Sequence, residues 1–185
     1  SYRTFMRIHL FEGLGIPPEQ IQFPPSEGDQ LVRRCQDYED AIVAAGGIDL
    51  QLLGMGRNGH VGFNEPTSSI RSRTRIKTLT QRTLDDNARF YAEGEPQPTL
   101  ASTMGIGTIL EARRILLQAY GIKKANAVRA CVEGPVSSFF PASALQLHPD
   151  TTCYFDPEAA QFLAMTDYYR ETRSNKQALA AAGRM

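Results

Sequence analysis

The chain has 185 residues, of which 42% are hydrophobic, so it is long enough for one domain that buries roughly two-thirds of its unfolded surface. Twenty basic residues balance twenty acidic ones, and this neutrality excludes a global attraction to nucleic acid or to an anionic membrane. No apolar run has the length of a membrane span, and Cys35, Cys131 and Cys153 form no C-x-x-C motif. We expect a soluble protein of the reducing cytosol.

The first 47 residues predict two helices. Apolar residues at helical spacing place one of them over residues 5–11, ending by the glycines at 13–15. Residues 21–23 predict a short strand that prolines stop. The second helix spans residues 31–42, with Ser26 or Asp29 as its candidate N-cap and Gly46-Gly47 as its stop.

Strands and helices alternate in the rest of the chain. Strands are predicted at residues 48–53, 73–79, 100–104, 115–119 and 151–155. Helices are predicted at residues 81–91 and 122–132, and a final helix opens at Pro157 and dissolves into the alanine-rich tail. This alternation predicts the α/β class: a Rossmann-like, mostly parallel sheet with helices on both faces, forming a single domain over residues 1–185.

The most informative segment, residues 54–66, follows the first of these later strands, which we expect to be buried. Gly54 and Gly56 let the backbone turn sharply and approach a ligand closely, which makes both candidates for substrate contact. His60 and Glu65 supply groups that carry protons near neutral pH. The competing interpretation is a tight strand-to-loop turn with a surface histidine.

A dinucleotide site and a metal site both fit this loop poorly. The glycine spacing matches G-x-G-x-x-G, but Pro66 follows too soon for a long helix, and residues 73–77 are basic where the motif requires an acid. His9 and His148 are distant from His60 in sequence and supply no neighbouring second ligand. We therefore expect neither an organic cofactor nor a metal.

Basic residues recur at every second position after the loop: Arg71, Arg73, Arg75 and Lys77. On a strand they project from one face. One interpretation is an edge strand whose charges prevent aggregation, and the other is an anion site with Ser68 and Ser69 as hydroxyl donors. A nucleic-acid groove is disfavoured because no aromatic residues interleave with the charges.

Taken in order, several segments resemble the glucosamine/galactosamine-6-phosphate isomerase family, whose deaminases convert glucosamine 6-phosphate into fructose 6-phosphate and ammonia. The matching segments are residues 46–50, 58–66, 72–79, 87–90, 104–108 and 142–149, with a further counterpart at residues 1–6. The core of the match is Gly-His-x-x-Phe-Asn-Glu-Pro at residues 59–66, which is far more specific than any single motif above.

The resemblance implies roles for three residues of the loop. His60 is the acid/base that opens the pyranose ring by shuttling a proton at the ring oxygen, and Glu65 orients and charges it. Many members carry aspartate at the position of Asn58. Asparagine forms hydrogen bonds but offers no charge, so we expect it to change the tuning of His60 and not to abolish activity.

Further residues are assigned by the same resemblance. Arg89 and Lys124, which by themselves would pass as surface cations, match residues that hold the substrate phosphate. Ser68, Arg75 and Lys77 match the allosteric site for N-acetylglucosamine 6-phosphate in regulated members, which are hexamers. The resemblance thus predicts a cytoplasmic homo-oligomer that acts on a small amino-sugar phosphate.

Family members also have an N-terminal segment before the position of Ser1, with a Gly-Ser/Thr phosphate loop and an aspartate that moves the proton between C2 and C1. We expect the present chain to be a fragment that lacks them. Two alternatives to the deaminase remain open: a 6-phosphogluconolactonase-like hydrolase, and the sugar-phosphate-sensing domain of a transcription regulator. Residues 63–66 and 73–79 favour the deaminase over the lactonase.

Overall fold

The computed structural model describes residues 2–26, 28–88, 91, 94 and 96–184. The chain divides into two compact units, one formed by Ser1–Gly47 and Arg73–Met104 and the other by Ile48–Ser72 and Gly105–Met185. In the described part of the chain, no helix is long and apolar enough to span a membrane. A single domain over residues 1–185 stays a prediction.

The helices and strands follow one another along the chain as listed here: α1 (Tyr2–Met6), α2 (Glu12–Leu14), α3 (Leu31–Ala44), β1 (Leu50–Gly54), β2 (Arg75–Thr78), α4 (Gln81–Asn87), β3 (Leu100–Thr103), α5 (Ile106–Leu110), β4 (Arg114–Ala119), α6 (Ala125–Val132), β5 (Thr151–Phe155), α7 (Pro157–Ala160) and α8 (Thr166–Ala181). A π-helical turn, Arg7–Phe11, joins α1 to α2. Shorter 3₁₀ turns lie at Pro18–Gln20, Ile122–Lys124 and Pro141–Leu147.

A parallel three-stranded sheet in the order β1-β4-β5 forms the centre of the second unit. Leu52 of β1 lies opposite Leu116 of β4, which in turn lies opposite Thr152 of β5. Because all three strands run the same way, their carboxyl ends meet at one edge of the sheet, and so do the loops that follow them. This confirms the predicted α/β class with a parallel sheet and helices around it.

The core of this unit is aliphatic. Five of its fully buried residues are Ile106 and Ile109 of α5, Ile115 and Leu117 of β4, and Val128 of α6. The strand predicted at residues 115–119 is confirmed as β4, and its burial alternates with the strand period. Each such side chain contributes about 1.5–3 kcal/mol through its removal from water.

The expectation that β1 is buried is wrong for one of its two faces. Leu53 is buried, whereas Leu50 is 57% and Leu52 is 60% exposed. Successive side chains of a strand point to opposite faces, so the two leucines share the face opposite to Leu53. The described residues therefore cover β1 mainly on the Leu53 side.

The first unit contains the antiparallel strand pair β2-β3, and helix α3 packs against β2. Glu39 of α3 is 4% exposed. Its carboxylate accepts a 2.5 Å hydrogen bond from Arg73 Nη2 and a 2.7 Å bond from the backbone N–H of Thr74. Because a buried carboxylate is costly without such partners, these bonds fix the start of β2 against α3.

Three local predictions in this unit are wrong. Residues 21–23 are extended but pair with no described strand. The residue before α3 is Gln30, in the left-handed region with φ 56°, and it makes no side-chain cap bond, so neither Ser26 nor Asp29 caps the helix. The predicted stop at Gly46-Gly47 is confirmed by the positive φ of both glycines. Helix α4 ends at Asn87, before the end predicted at residue 91.

The predicted final helix is two helices. Asp156 caps α7 by accepting a 2.8 Å hydrogen bond from the N–H of Ala159, and α7 ends at Ala160. Glu133 then accepts bonds from the N–H groups of Ala164 and Met165, just before α8 begins. The alanine-rich tail is helical as far as Ala181, which is consistent with the high helix propensity of alanine.

Candidate active site

The loop after β1 closes on itself through backbone hydrogen bonds. The N–H of Gly56 donates to the carbonyl of His60 at 2.8 Å, and the N–H of Gly59 donates to the carbonyl of Gly56 at 3.0 Å. Gly59 has φ 79°, and a Cβ there would lie 2.9 Å from Cδ1 of Phe140, so conformation and space both favour glycine. The turn brings His60 back beside the end of β1.

His60, Glu65 and Asn58 form one cluster, as the sequence predicted. Nδ1 of His60 lies 3.6 Å from Oε1 of Glu65, and the two side chains are 19% and 4% exposed. Asn58 Nδ2 donates a 2.7 Å hydrogen bond to Oε2 of Glu65, and Asn58 Oδ1 accepts a 3.3 Å bond from the N–H of His60. A nearly buried carboxylate is thus stabilised by an amide on one oxygen and faces an imidazole with the other.

This arrangement suits proton transfer. The carboxylate beside the imidazole orients the ring, and an imidazole can accept and deliver a proton near neutral pH. Nδ1 of His60 is buried and forms no hydrogen bond within the described residues. Oε1 of Glu65 lies 3.6 Å from it. A histidine held in this way differs from the freely exposed side chain that the competing interpretation of the loop requires.

Residues 137–142 support the loop from outside. The N–H of Ala142 donates to the carbonyl of Gly59, and the N–H of Thr67 donates to the carbonyl of Ser138, both at 2.8 Å. Thr67 has φ 73°, an unusual conformation for a β-branched residue. Sequence reasoning missed this support, because backbone bonds between segments some 70–80 positions apart leave no periodic pattern in either segment.

Lys124 lies in the loop that follows β4. Because β1 and β4 are adjacent and parallel, the loops containing His60 and Lys124 leave the same edge of the sheet. Asp156, after β5, accepts 3.0 Å hydrogen bonds from the N–H of Gly121, so the β4 and β5 loops are also joined. Lys124 is half-buried in this position.

The other predicted site residues lie as follows. Gly54 ends β1, and a Cβ built on it would meet nothing within 4 Å, whereas a Cβ at Gly56 would meet the ring of His60. Arg89 falls outside the described residues. Contact of Gly54 and Gly56 with substrate stays a prediction.

The predicted anion-site residues are divided between the two units. Ser68 belongs to the unit that carries the loop; it is 3% exposed and its Oγ has no partner among the described residues. Arg75 and Lys77 lie in β2 of the other unit and share one strand face. Burial lowers the pKa of Arg75 from its ordinary value. Arg73 is bonded to Glu39, and Arg71 precedes the strand. Fewer basic residues than predicted therefore lie on the strand face that Arg75 and Lys77 share.

Potential metal ligands are not clustered in the part of the chain that the structure describes. No group of three or more histidine, cysteine, aspartate or glutamate side chains is arranged there to hold a metal ion.

Comparison with known proteins gives concordant matches. The model of a family described as glucosamine-6-phosphate isomerases and 6-phosphogluconolactonase matches residues 1–154. The glucosamine-6-phosphate deaminase of Hahella chejuensis is 56% identical over 174 residues, which are 94% of this chain and 66% of that relative. The chain thus spans about two thirds of the length of this relative.

Solved structures agree with the sequence comparison. A monomeric glucosamine-6-phosphate deaminase matches with a TM-score of 0.83 at 45% identity, over 87% of this chain and 67% of that one. A 6-phosphogluconolactonase from Trypanosoma cruzi matches with a TM-score of 0.56 at 20% identity, over 71% of this chain and 52% of that one. The second likeness shows a shared fold and nothing finer.

Proposed function

This chain belongs to the family of glucosamine-6-phosphate isomerases and 6-phosphogluconolactonases, and we propose that it carries out the deaminating isomerisation of glucosamine 6-phosphate. The reaction consumes water and yields fructose 6-phosphate and ammonia. The observation that carries the proposal is the pair of His60 and Glu65 at the carboxyl end of β1, with Asn58 bonded to both. The 56% identity to a deaminase supports this reaction over others on the same fold.

His60 opens the sugar ring. The C1–O5 bond breaks, the ring oxygen takes up a proton that His60 delivers, and the C1 hydroxyl loses its proton to leave an aldehyde. In the open-chain sugar a proton then moves from C2 to C1, while the aldehyde oxygen gains a proton and the C2 amine loses one, so that a C2 imine and a C1 hydroxyl form. Water hydrolyses this imine to the ketone and releases ammonia. Glu65 orients the ring for the first step, because its carboxylate lies 3.6 Å from Nδ1.

Lys124 and Arg89 bind the phosphate in this proposal. A phosphate dianion is well matched by one ammonium, which acts as a point charge, and one guanidinium, which can bond two oxygens at once. Lys124 lies at the sheet edge from which the His60 loop also leaves, and this position supports its role in phosphate binding. For Arg89 the support is the resemblance of residues 87–90.

The two alternatives have weaker support. The 6-phosphogluconolactonase of T. cruzi shares the fold of this chain, but an identity of 20% carries no statement about substrate. A sensing domain binds a sugar phosphate without chemistry, and a histidine held against a buried carboxylate is more than binding needs. Both are distinguished from the deaminase by assay.

We further infer regulation by N-acetylglucosamine 6-phosphate in a homo-oligomer, with Ser68, Arg75 and Lys77 at the effector site. The two cations Arg75 and Lys77, which share one face of β2, support an anion site on that strand, and the assignment of Ser68 to the site follows from the family resemblance. A hexamer is proposed from the family resemblance, and the similar deaminase of known structure is a monomer. Location in the cytosol and independence from metals and organic cofactors belong to the same proposal.

The deciding experiment measures ammonia release by the protein as it is encoded, including anything outside residues 1–185. Glucosamine 6-phosphate, galactosamine 6-phosphate and 6-phosphogluconolactone are offered in parallel. We expect ammonia and fructose 6-phosphate from the first substrate. Lactone hydrolysis without ammonia release would favour the lactonase, and binding of sugar phosphate without turnover would favour the sensing domain.

A further inference from the structure

The imidazole of His60 lies in the space that a side chain at position 56 would occupy. A Cβ built on Gly56 would lie 2.3 Å from Cε1 and 2.4 Å from both Nδ1 and Nε2 of His60. Ordinary contacts between carbon atoms are about 3.5–4.0 Å. The near equality of the three distances puts the added methyl group over the face of the ring, so no rotation of the ring within its own plane relieves the clash.

Space, not backbone conformation, is what requires glycine here. The φ of Gly56 lies outside the left-handed region, unlike that of Gly59. An alanine at position 56 would therefore suit the local backbone and conflict with His60 alone among the nearest atoms.

The backbone beneath the ring has little freedom to yield. The N–H of Gly56 is bonded to the carbonyl of His60 at 2.8 Å, and the N–H of His60 is bonded to Oδ1 of Asn58 at 3.3 Å. The carbonyl of Gly56 also accepts from the N–H of Gly59. A larger residue at position 56 would therefore displace the imidazole by about 1 Å or more, the shortfall from ordinary contact.

We propose that Gly56 is a positioning residue for His60: by leaving the ring face uncovered, it sets the placement of Nδ1 against Oε1 of Glu65. This inference rests on the proposed function only where turnover is used to test it. It gives Gly56 a neighbour within the protein, in addition to any contact with substrate. A misplacement of about 1 Å in such a site can lower the rate about 10²-fold.

The test is a double-mutant cycle between positions 56 and 60 in the complete protein. Gly56→Ala should lower kcat about 10²-fold with little change in KM, because ring placement affects the proton transfer more than substrate binding. In a His60→Ala background, adding Gly56→Ala should cause little further loss. Gly13→Ala is the control for exchanging glycine for alanine, since a Cβ there meets nothing within 4 Å, and it should leave kcat unchanged.

Thermal unfolding gives a second readout that does not depend on any activity. Gly56→Ala should lower Tm by about 5 °C when His60 is present, as expected for overpacking, and by much less when His60 is alanine. If Gly56→Ala alone fails to fold, recovery of folding in the His60→Ala background supports the steric relationship equally well.

Two results would overturn the inference: equal loss of Tm in both backgrounds, or wild-type kcat in Gly56→Ala while His60→Gln is impaired. If His60→Gln itself leaves turnover unchanged, the proposed role of His60 fails instead. The thermal cycle then decides the steric relationship alone.

Discussion

Asn58 donates a 2.7 Å hydrogen bond from Nδ2 to Oε2 of Glu65, and it thereby occupies one of the two oxygens of a carboxylate that is only 3% exposed. The other oxygen is left facing His60. An amide can serve here because it donates without adding charge. The identity of residue 58 therefore determines how many negative charges the cluster holds.

Asn58→Asp should make the stability of the protein depend more strongly on pH. Two carboxylates at this distance cannot both ionise cheaply, so the pKa of the pair rises in the folded state. A raised folded-state pKa stabilises the fold at low pH, and that contribution is lost as pH rises. We expect the deficit in unfolding free energy relative to wild type to grow as the pH rises above about 4, the ordinary pKa of carboxyl groups in the unfolded chain.

Chemical denaturation at several pH values measures this deficit. Asn58→Ala is the matched control, because it loses the same hydrogen bond without gaining a charge, and its deficit should stay nearly constant with pH. Parallel pH profiles for the two variants would contradict the like-charge explanation.

His60→Gln should lower turnover of the cyclic sugar by about 10²-fold or more, since general acid–base assistance commonly contributes that much. Open-chain substrate should be affected less, because it bypasses ring opening. Steady-state kinetics with both forms measures the difference, and His9→Gln, at an exposed histidine, should behave as wild type. Equal losses on both forms would show that ring opening is not the task of His60.

Lys124→Ala should raise KM for the phosphorylated sugar and change kcat little. A phosphate contact remote from C1 and C2 binds the ground state and the transition state alike. Lys123→Ala is the control within the same 3₁₀ turn, at an exposed side chain, and should leave KM unchanged. If the KM of Lys124→Ala equals that of Lys123→Ala, Lys124 is not a phosphate ligand.

N-acetylglucosamine 6-phosphate should lower the apparent KM of the complete protein by a factor of about 5–150, the usual range of allosteric coupling. Lys77→Ala should abolish this response with nearly intact turnover in the absence of the effector. Arg71→Ala, at an exposed basic residue that precedes β2, should retain the response. Hyperbolic kinetics that the effector leaves unaltered would remove the regulatory proposal without touching the deaminase proposal.

Alkaline pH should destabilise the fold through Cys131. Burial, with a smaller contribution from Cys153, raises the pKa of the Cys131 thiol from 9.0 to about 12, and its Sγ–H donates to the carbonyl of Ala142. The folded-state pKa is the higher one, so the stabilisation is complete below the unfolded value of 9.0 and is lost as pH rises towards about 12.

The variant Cys131→Ala isolates this contribution. Its deficit in unfolding free energy relative to wild type should shrink by about 1 kcal/mol between about pH 8 and about pH 10, since one pKa unit corresponds to about 1.4 kcal/mol. Urea denaturation at the two pH values measures the change. A deficit that is the same at both would show that the thiol does not ionise differently on unfolding.

The sequence by itself determined the family, the α/β class and most of the elements. The strand β4, the glycine stop after α3 and the closeness of His60 to Glu65 could be predicted, because they depend on strand propensity, on a backbone preference and on a short motif within about a dozen residues. Residues 59–66 are the most specific of the segments that together indicated the family, and the family match over residues 1–154 confirms it.

Tertiary structure alone decided the relationships that join distant segments or fill a particular space. The bond from Arg73 to Glu39 spans 34 positions, and the exposure of Leu50 and Leu52 depends on which face of β1 the rest of the protein covers. Likewise, Gly56 resembles any loop glycine until the ring of His60 is seen lying over it. Local pattern carries the preferences of each segment, whereas packing, burial and the pairing of charges are set by what the folded chain brings into contact.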